Sequence, residues 1–189
     1  MVVPSRDQCL ELLRQHDMPL HIRSHSLMVT EVALFISTRL NRNSCRLDLR
    51  LVEASALLHD IGKKPGLETG ENHAQLGARM LEGIVSAPVA RIVADHIYMD
   101  ASQTAGPLTE SLIVNYADKR VKHDRVVSIR ERFEDLIERY AKSPTQAGML
   151  RGKLDLYIAL ESTIFSHLSI APHDPEIMGI TILISEKVT

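Results

Sequence analysis

His59 and Asp60 stand side by side in the run Leu-Leu-His-Asp-Ile-Gly-Lys-Lys at residues 57–64. An imidazole offers a ring nitrogen and a carboxylate one or two oxygens to a hard or borderline cation, so the pair reads as the centre of a metal site. Neighbouring residues on a regular helix point too far apart to share an ion, and convergence requires a helix end. The preceding residues 49–58 have a helix-forming composition, with Leu51, Val52, Ala54, Ser55 and Leu58 near helical spacing. Gly62 suits a left-handed C-terminal cap. Ligands at that end would also sit at the negative pole of the helix dipole.

Two further candidates flank the pair. His25 lies upstream in Arg-Ser-His-Ser-Leu-Met, and Asp118 lies downstream in Asn-Tyr-Ala-Asp-Lys-Arg, each within an apolar helical pattern. The order His, His-Asp, Asp resembles the HD superfamily of metal-dependent phosphohydrolases, and His-Asp-Ile-Gly is the form typical of its HDIG branch. The resemblance covers about residues 20 to 125. It implies an all-α HD-domain helical bundle in which His25, His59, Asp60 and Asp118 hold a first metal. His73 and His96 occupy positions where dinuclear members carry additional ligands, which implies a second metal with Asp60 bridging both. An anion between two cations reduces their repulsion. One or two divalent ions are therefore expected, iron or manganese first on family grounds, with cobalt, nickel, magnesium or zinc as alternatives.

The same resemblance assigns roles around the metals. Asp60 and Lys63 are the catalytic candidates, Asp60 orienting a metal-bound hydroxide and Lys63 offsetting charge on a substrate phosphate. Arg23, Lys119 and Arg120 lie beside ligands and join Lys63 as candidate substrate-binding residues. His16, His21, His123, His167 and His173 match nothing in the pattern and are read as structural or surface residues. The expected reaction is hydrolysis of a phosphoester or phosphoanhydride of a small nucleotide, such as a dinucleoside polyphosphate or a nucleoside monophosphate. The chain lacks the Gly-Tyr-Pro extension of the cyclic-di-GMP phosphodiesterase branch. A non-catalytic metal- or nucleotide-binding regulatory HD module is the main alternative, and diiron oxygenase chemistry is a third.

The whole chain sets outer bounds. Its 189 residues are 44% hydrophobic and 24% charged, values of an ordinary globular protein. A net charge of −2 shows no basic field for long nucleic-acid contacts, so none is expected as a partner. Cys9 and Cys45 form no CxxC pattern and are read as reduced thiols. No apolar run approaches bilayer length and no signal-peptide core opens the chain, so a cytoplasmic protein without membrane contact is expected.

Helices must position the candidates. Ser5 with Gln8 has capping-box spacing for a first short helix, followed by an amphipathic segment at 22–40 carrying His25. A third helix at 48–60 ends at the ligand pair. Pro65, Gly66 and Gly70 make 63–71 a loop that could cover the site. Helices at 72–84, 88–99 and 109–122 each carry one ligand. Ser128 with Glu131 starts a charged helix to about Lys142, and Pro144 separates it from a last helix near 146–168. Residues 1–125 are thus read as the HD domain, and 126–189 as a helical extension packing on the same domain. That extension would form a lid or a homodimer surface. The β-branched tail at 177–184 carries no functional reading.

Overall fold

The computed structural model describes residues 2–43, 45–104 and 106–182. It is an all-α fold organised around one long helix. A first helix, α1 (Arg6–Gln15), begins with the expected capping box: Gln8 N–H donates to the Ser5 hydroxyl and Ser5 N–H donates to Gln8 Oε1. Next comes α2 (Leu20–Arg42), which buries Ile22, Leu27, Val29, Val32, Ile36 and Leu40. Burial of this kind around most of a helix is what places it at the centre of a bundle. Against α2 pack α3 (Leu49–Leu58) and α8 (Glu110–Lys119), and α1 leans on α3. The Asp48 side chain caps α3 by accepting from Arg50 N–H and Leu51 N–H.

Between α3 and α8 run α4 (Lys63–Thr69), α5 (His73–Leu81), α6 (Ala87–Asp95) and the short α7 (Ala101–Thr104). The pair α5 and α6 packs together, α4 rests on α5, and α6 reaches both α3 and α8. After α8 a two-stranded antiparallel hairpin, β1 (Val121–Lys122) and β2 (Arg125–Val126), pairs Val121 with Val126 and lies against α2. The chain then builds α9 (Ile129–Tyr140), α10 (Pro144–Ser166) and one turn, α11 (Pro175–Met178). Ser128 caps α9 and Ser143 caps α10. The two helices pack on each other and both touch α8.

Several local expectations change. Residues 63–69 form a helix rather than a loop. Pro65 lies in the first turn, where no intrahelical N–H bond is lost, and the helix stops at Gly70 with φ 78°. Gly62 does not adopt a left-handed cap, since its φ is −84°. Its requirement is steric: a Cβ there would stand 2.2 Å from the His73 carbonyl oxygen and 2.5 Å from Gly77 N. Pro144 stands at the break between α9 and α10, as expected, and is itself the first residue of α10, since its fixed φ suits a first helical position. In the tail, Ile177 is buried in α11, while residues 183 and 184 lie outside the described residues.

Arg120 is also corrected. It is wholly buried: Nε donates to the Val127 carbonyl at 2.7 Å, Nη1 to the Tyr116 hydroxyl at 2.6 Å and Nη2 to the Pro172 carbonyl at 2.8 Å. Glu161 supplies its counter-charge at 3.3 Å. The guanidinium therefore ties α8 to the C-terminal segment and has no free face for a substrate.

Candidate metal centre

Helix ends deliver most of the proposed ligands. His59 is the C-cap of α3 and His96 the C-cap of α6, so both sit at negative helix poles. Asp118 lies in the last turn of α8, His25 in the second turn of α2, and His73 opens α5 beside its cap Asn72. The carboxylate of Asp60, only 2% exposed, stands among them. Its Oδ2 is 3.5 Å from His59 Nε2 and 4.0 Å from His25 Nε2, while its Oδ1 is 3.4 Å from His73 Nε2 and 3.8 Å from His96 Nε2. Asp118 Oδ1 closes the first group, 3.0 Å from His25 Nε2 and 3.8 Å from His59 Nε2. All six sequence-derived ligands thus converge, with the two oxygens of Asp60 facing different histidine pairs.

The donor set fits a cation. Backbone carbonyls can only accept, so the bonds from His59 Nδ1 to Ala56 O, from His96 Nδ1 to Val93 O and from His25 Nδ1 to His123 O place a proton on Nδ1 in each ring. In the neutral ring each Nε2 is then the lone pair, aimed at the centre, the arrangement found in metal-ligating histidines. His59 Nε2 is buried with no hydrogen-bond partner, and the His73 and His96 Nε2 atoms face each other at 3.2 Å. Lone pairs so crowded among carboxylates are satisfied by positive charge. Three overlapping groups, His25–His59–Asp60, His59–His96–Asp118 and Asp60–His73–His96, bring one donor atom each within 4.8 Å of one another. The cluster can hold a metal ion. A divalent ion bound there would supply Lewis-acid charge to an oxygen entering from the cavity.

Protonation in the metal-free protein follows the same balance. Burial pushes His96 down to about 3, helped by the neighbouring His59. Burial also lowers His25 and His73. At His59 burial opposes the proton, yet Asp60 and Asp118 outweigh it and raise the ring above its usual value. Burial disfavours both carboxylate charges as well, but His59 and Lys63 hold Asp60 well below the carboxylate range, and Lys119 with His25 does the same for Asp118.

A cavity of about 320 Å³ opens on the centre, reaching Asp60, His73 and Asp118. Cations line it: Lys63, whose Nζ is 2.7 Å from Asp60 Oδ2, Lys119 against Asp118, and Arg132 and Lys153 from α9 and α10. Apolar and aromatic walls come from Phe133, Leu136, Leu150 and Tyr157. Lys63 and Lys119 therefore line the cavity beside the cluster. Arg23 is half-buried in α2 and is not among the cavity-lining residues, and Arg120 is locked in the fold as described. Arg132, Lys153 and Tyr157 were missed, because in the sequence they look like ordinary residues of two charged helices.

The HD domain family matches residues 22–121, just over half of the 189 residues. The chain belongs to the HD domain family. That membership accounts for the all-α fold. A structural neighbour, described as a predicted HD superfamily hydrolase from an uncultured Thermotogales bacterium, is 23% identical, with a TM-score of 0.46 over 86% of this chain and 92% of its own. Two curated relatives carry a different activity in their name. The tRNA (cytidine(56)-2'-O)-methyltransferase of Thermoplasma volcanium is 34% identical over 163 residues, 75% of this chain and 46% of its own length. Its namesake from Picrophilus torridus is 30% identical over 164 residues, 80% of this chain and 45% of its own. The HD-domain chain spans about half the length of these relatives.

These names overturn the expected activity and partner. The relatives are named as methyltransferases of tRNA and not as phosphohydrolases of small nucleotides, and tRNA is a long nucleic acid. Membership of the HD domain family carries with it the fold, and the His/Asp cluster is competent to hold a metal. A net −2 is a sum over the whole surface and does not describe one site: Lys63, Lys119, Arg132 and Lys153 gather on one cavity, with Asp60 and Asp118 paired to the two lysines. Among the described residues no helix is long and apolar enough to cross a membrane.

Proposed function

We propose that this chain serves tRNA 2'-O-methylation as a metal-holding, RNA-contacting HD unit. The observation that carries the reading is the similarity of three quarters or more of the chain to two proteins named for that reaction. The cavity supports it chemically: Lys63, Lys119, Arg132 and Lys153 offer cations to phosphates, with Asp60 and Asp118 paired to the two lysines, and Phe133 and Tyr157 offer rings to bases. Lys63 and Lys119 are assigned to RNA phosphates together with Arg132 and Lys153. Two divalent ions, iron or manganese first, are assigned to the cluster, with His25, His59 and Asp118 on one, His73 and His96 on the other, and Asp60 between them. Residues 126–189 are assigned as an extension of the HD domain whose helices complete the cavity. Methyl transfer itself is assigned to the system and not to named residues of this chain, because the shared stretch is about half of each relative.

The test is binding of a labelled tRNA transcript to metal-loaded protein, followed by fluorescence anisotropy over a salt series. Specific binding is expected, and replacing Lys63 or Lys119 by alanine should lower the salt slope by about 1 each as a phosphate contact disappears. Absence of tRNA binding at low salt, or slopes unchanged in both variants, overturns the reading.

A further inference from the structure

The hairpin that follows α8 has a two-residue turn, His123-Asp124, between the paired residues Lys122 and Arg125. His123 has φ 58°, an uncommon conformation for any residue with a side chain and one that two-residue turns usually give to glycine. In this turn the His123 carbonyl faces the ring of His25. His25 Nδ1–H donates to it at 3.0 Å, across 98 residues of sequence. The opposite nitrogen of the same ring faces Asp118 and Asp60.

The turn is itself gripped from its outer side. Arg139 of α9 donates from Nη2 to His123 Nε2 at 3.0 Å. Asp135, one turn earlier on α9 and buried, receives Arg139 Nε at 3.0 Å and Lys122 Nζ at 3.4 Å. Both turn residues and both α9 residues lie beyond residue 121, where the HD family match ends. A backbone strained in this way persists where its surroundings over-determine it, and such strain marks a functional position.

We propose that the His123-Asp124 turn, clamped by α9, is the positioning device for the metal ligand His25. The His123 carbonyl fixes the Nδ1–H tautomer and the plane of the His25 ring, so that Nε2 is presented to the metal. Its ring serves only to anchor the turn. The C-terminal extension thereby becomes part of the outer support of the metal centre. This inference rests on the cluster's capacity for metal and is independent of the tRNA reading.

The experiment compares His123→Gly, His123→Ala and His123→Pro. Zinc affinity is measured by competition with a chromophoric chelator, and cobalt(II) absorption bands report the ligand geometry. Glycine and alanine keep the carbonyl and lose only the Arg139 contact, while Lys122 still ties the turn to Asp135 of α9, so both variants should bind zinc within threefold of wild type with unchanged cobalt bands. Proline fixes φ near −65° and turns the carbonyl away. It should weaken zinc binding about 10- to 100-fold, the usual effect of losing an outer-shell partner, and shift the cobalt bands. Wild-type affinity in the proline variant overturns the proposal, as does equal weakening in the alanine and glycine variants.

Far-UV circular dichroism checks the fold of each variant. Should the proline variant not fold, long-range ¹H–¹⁵N spectra of zinc-loaded wild type decide the matter. Coordination of His25 through Nε2 with a slowly exchanging Nδ1–H is expected. Coordination through Nδ1, or rapid exchange of that proton, overturns the proposal.

Discussion

Replacing Gly62 by alanine should damage both the fold and one side of the metal centre. An added Cβ would lie 2.2 Å from the His73 carbonyl oxygen, 2.5 Å from Gly77 N and 2.9 Å from Gly77 Cα. Comfortable contact for a carbon needs about 3.5 Å, so α5 must retreat by roughly 1 Å. Every obstructing atom is backbone, and no rotamer change relieves the clash. Overpacking of this kind costs typically 1–3 kcal/mol where side chains can yield, and about 3 kcal/mol or more is expected here. The retreat carries His73 away from Asp60 and His96, now 3.4 and 3.2 Å distant. Sites tolerate about 0.5 Å of misplacement, so zinc affinity on the His73–His96 side should fall at least about tenfold. Gly77→Ala is the control. Its Cβ meets Gly62 N at 3.1 Å and two methyl groups at 3.2 and 3.3 Å, and the gain in helix propensity of about 1 kcal/mol offsets much of that crowding. Urea unfolding of chelated protein gives the first quantity and zinc titration the second. A Gly62→Ala protein within about 1 kcal/mol of wild type, with zinc binding intact, would refute the close-packing argument.

Other expectations concern charge and burial. In chelated protein, folded His96 titrates at about 3 and unfolded histidine near 6.5, so between these values the unfolded chain binds the extra proton. The His96 contribution should be constant well above pH 6.5 and fall below it, by about 2 kcal/mol at pH 5, while the raised His59 adds stability that is lost as pH climbs above 6.5. The lowered His25 and His73 add to the fall and the raised His59 opposes it; urea midpoints that rise on acidification from pH 7 to 5 would contradict this sum. Arg120→Met should cost about 3–5 kcal/mol, because Glu161 and the Tyr116 hydroxyl lose their buried partner, while zinc stoichiometry stays unchanged. Buried Cys9, its thiol pushed up to about 12 by burial, should resist Ellman's reagent in native protein and react in urea, and fast labelling of both thiols in native protein would show α1 to be open.

The convergence of the six candidate ligands was legible because metal chemistry restricts residue types, and because each candidate stands in or at the end of a helix whose pattern the sequence also shows. His25, His59, Asp60, His73, His96 and Asp118 needed no knowledge of packing to be chosen together. Other features depend on what the sequence pattern does not encode. The support for His25 is a backbone carbonyl, which every residue possesses, and His123 therefore looked like an unassigned histidine. Arg120 and Lys119 are adjacent and alike in charge, yet one points into a buried network and the other into the cavity. Gly62 was recognised as special, but for its conformational freedom, whereas closeness to α5 is what demands it. Pro65 suggested a loop because its position within the first turn of a helix is visible only once the helix start is known. Activity was the least legible feature, since a shared fold and ligand order do not fix a reaction.

Asp60 and the five residues around it are proposed to form one centre for two divalent ions. The direct measurement is metal content per chain by inductively coupled plasma mass spectrometry after anaerobic purification, for wild type and Asp60→Ala in parallel, with circular dichroism to confirm equal helicity. Two divalent ions per wild-type chain, both lost in the variant, are the expected result. A wild-type chain that takes up no divalent metal, or a folded Asp60→Ala chain that keeps its full complement, would contradict the account.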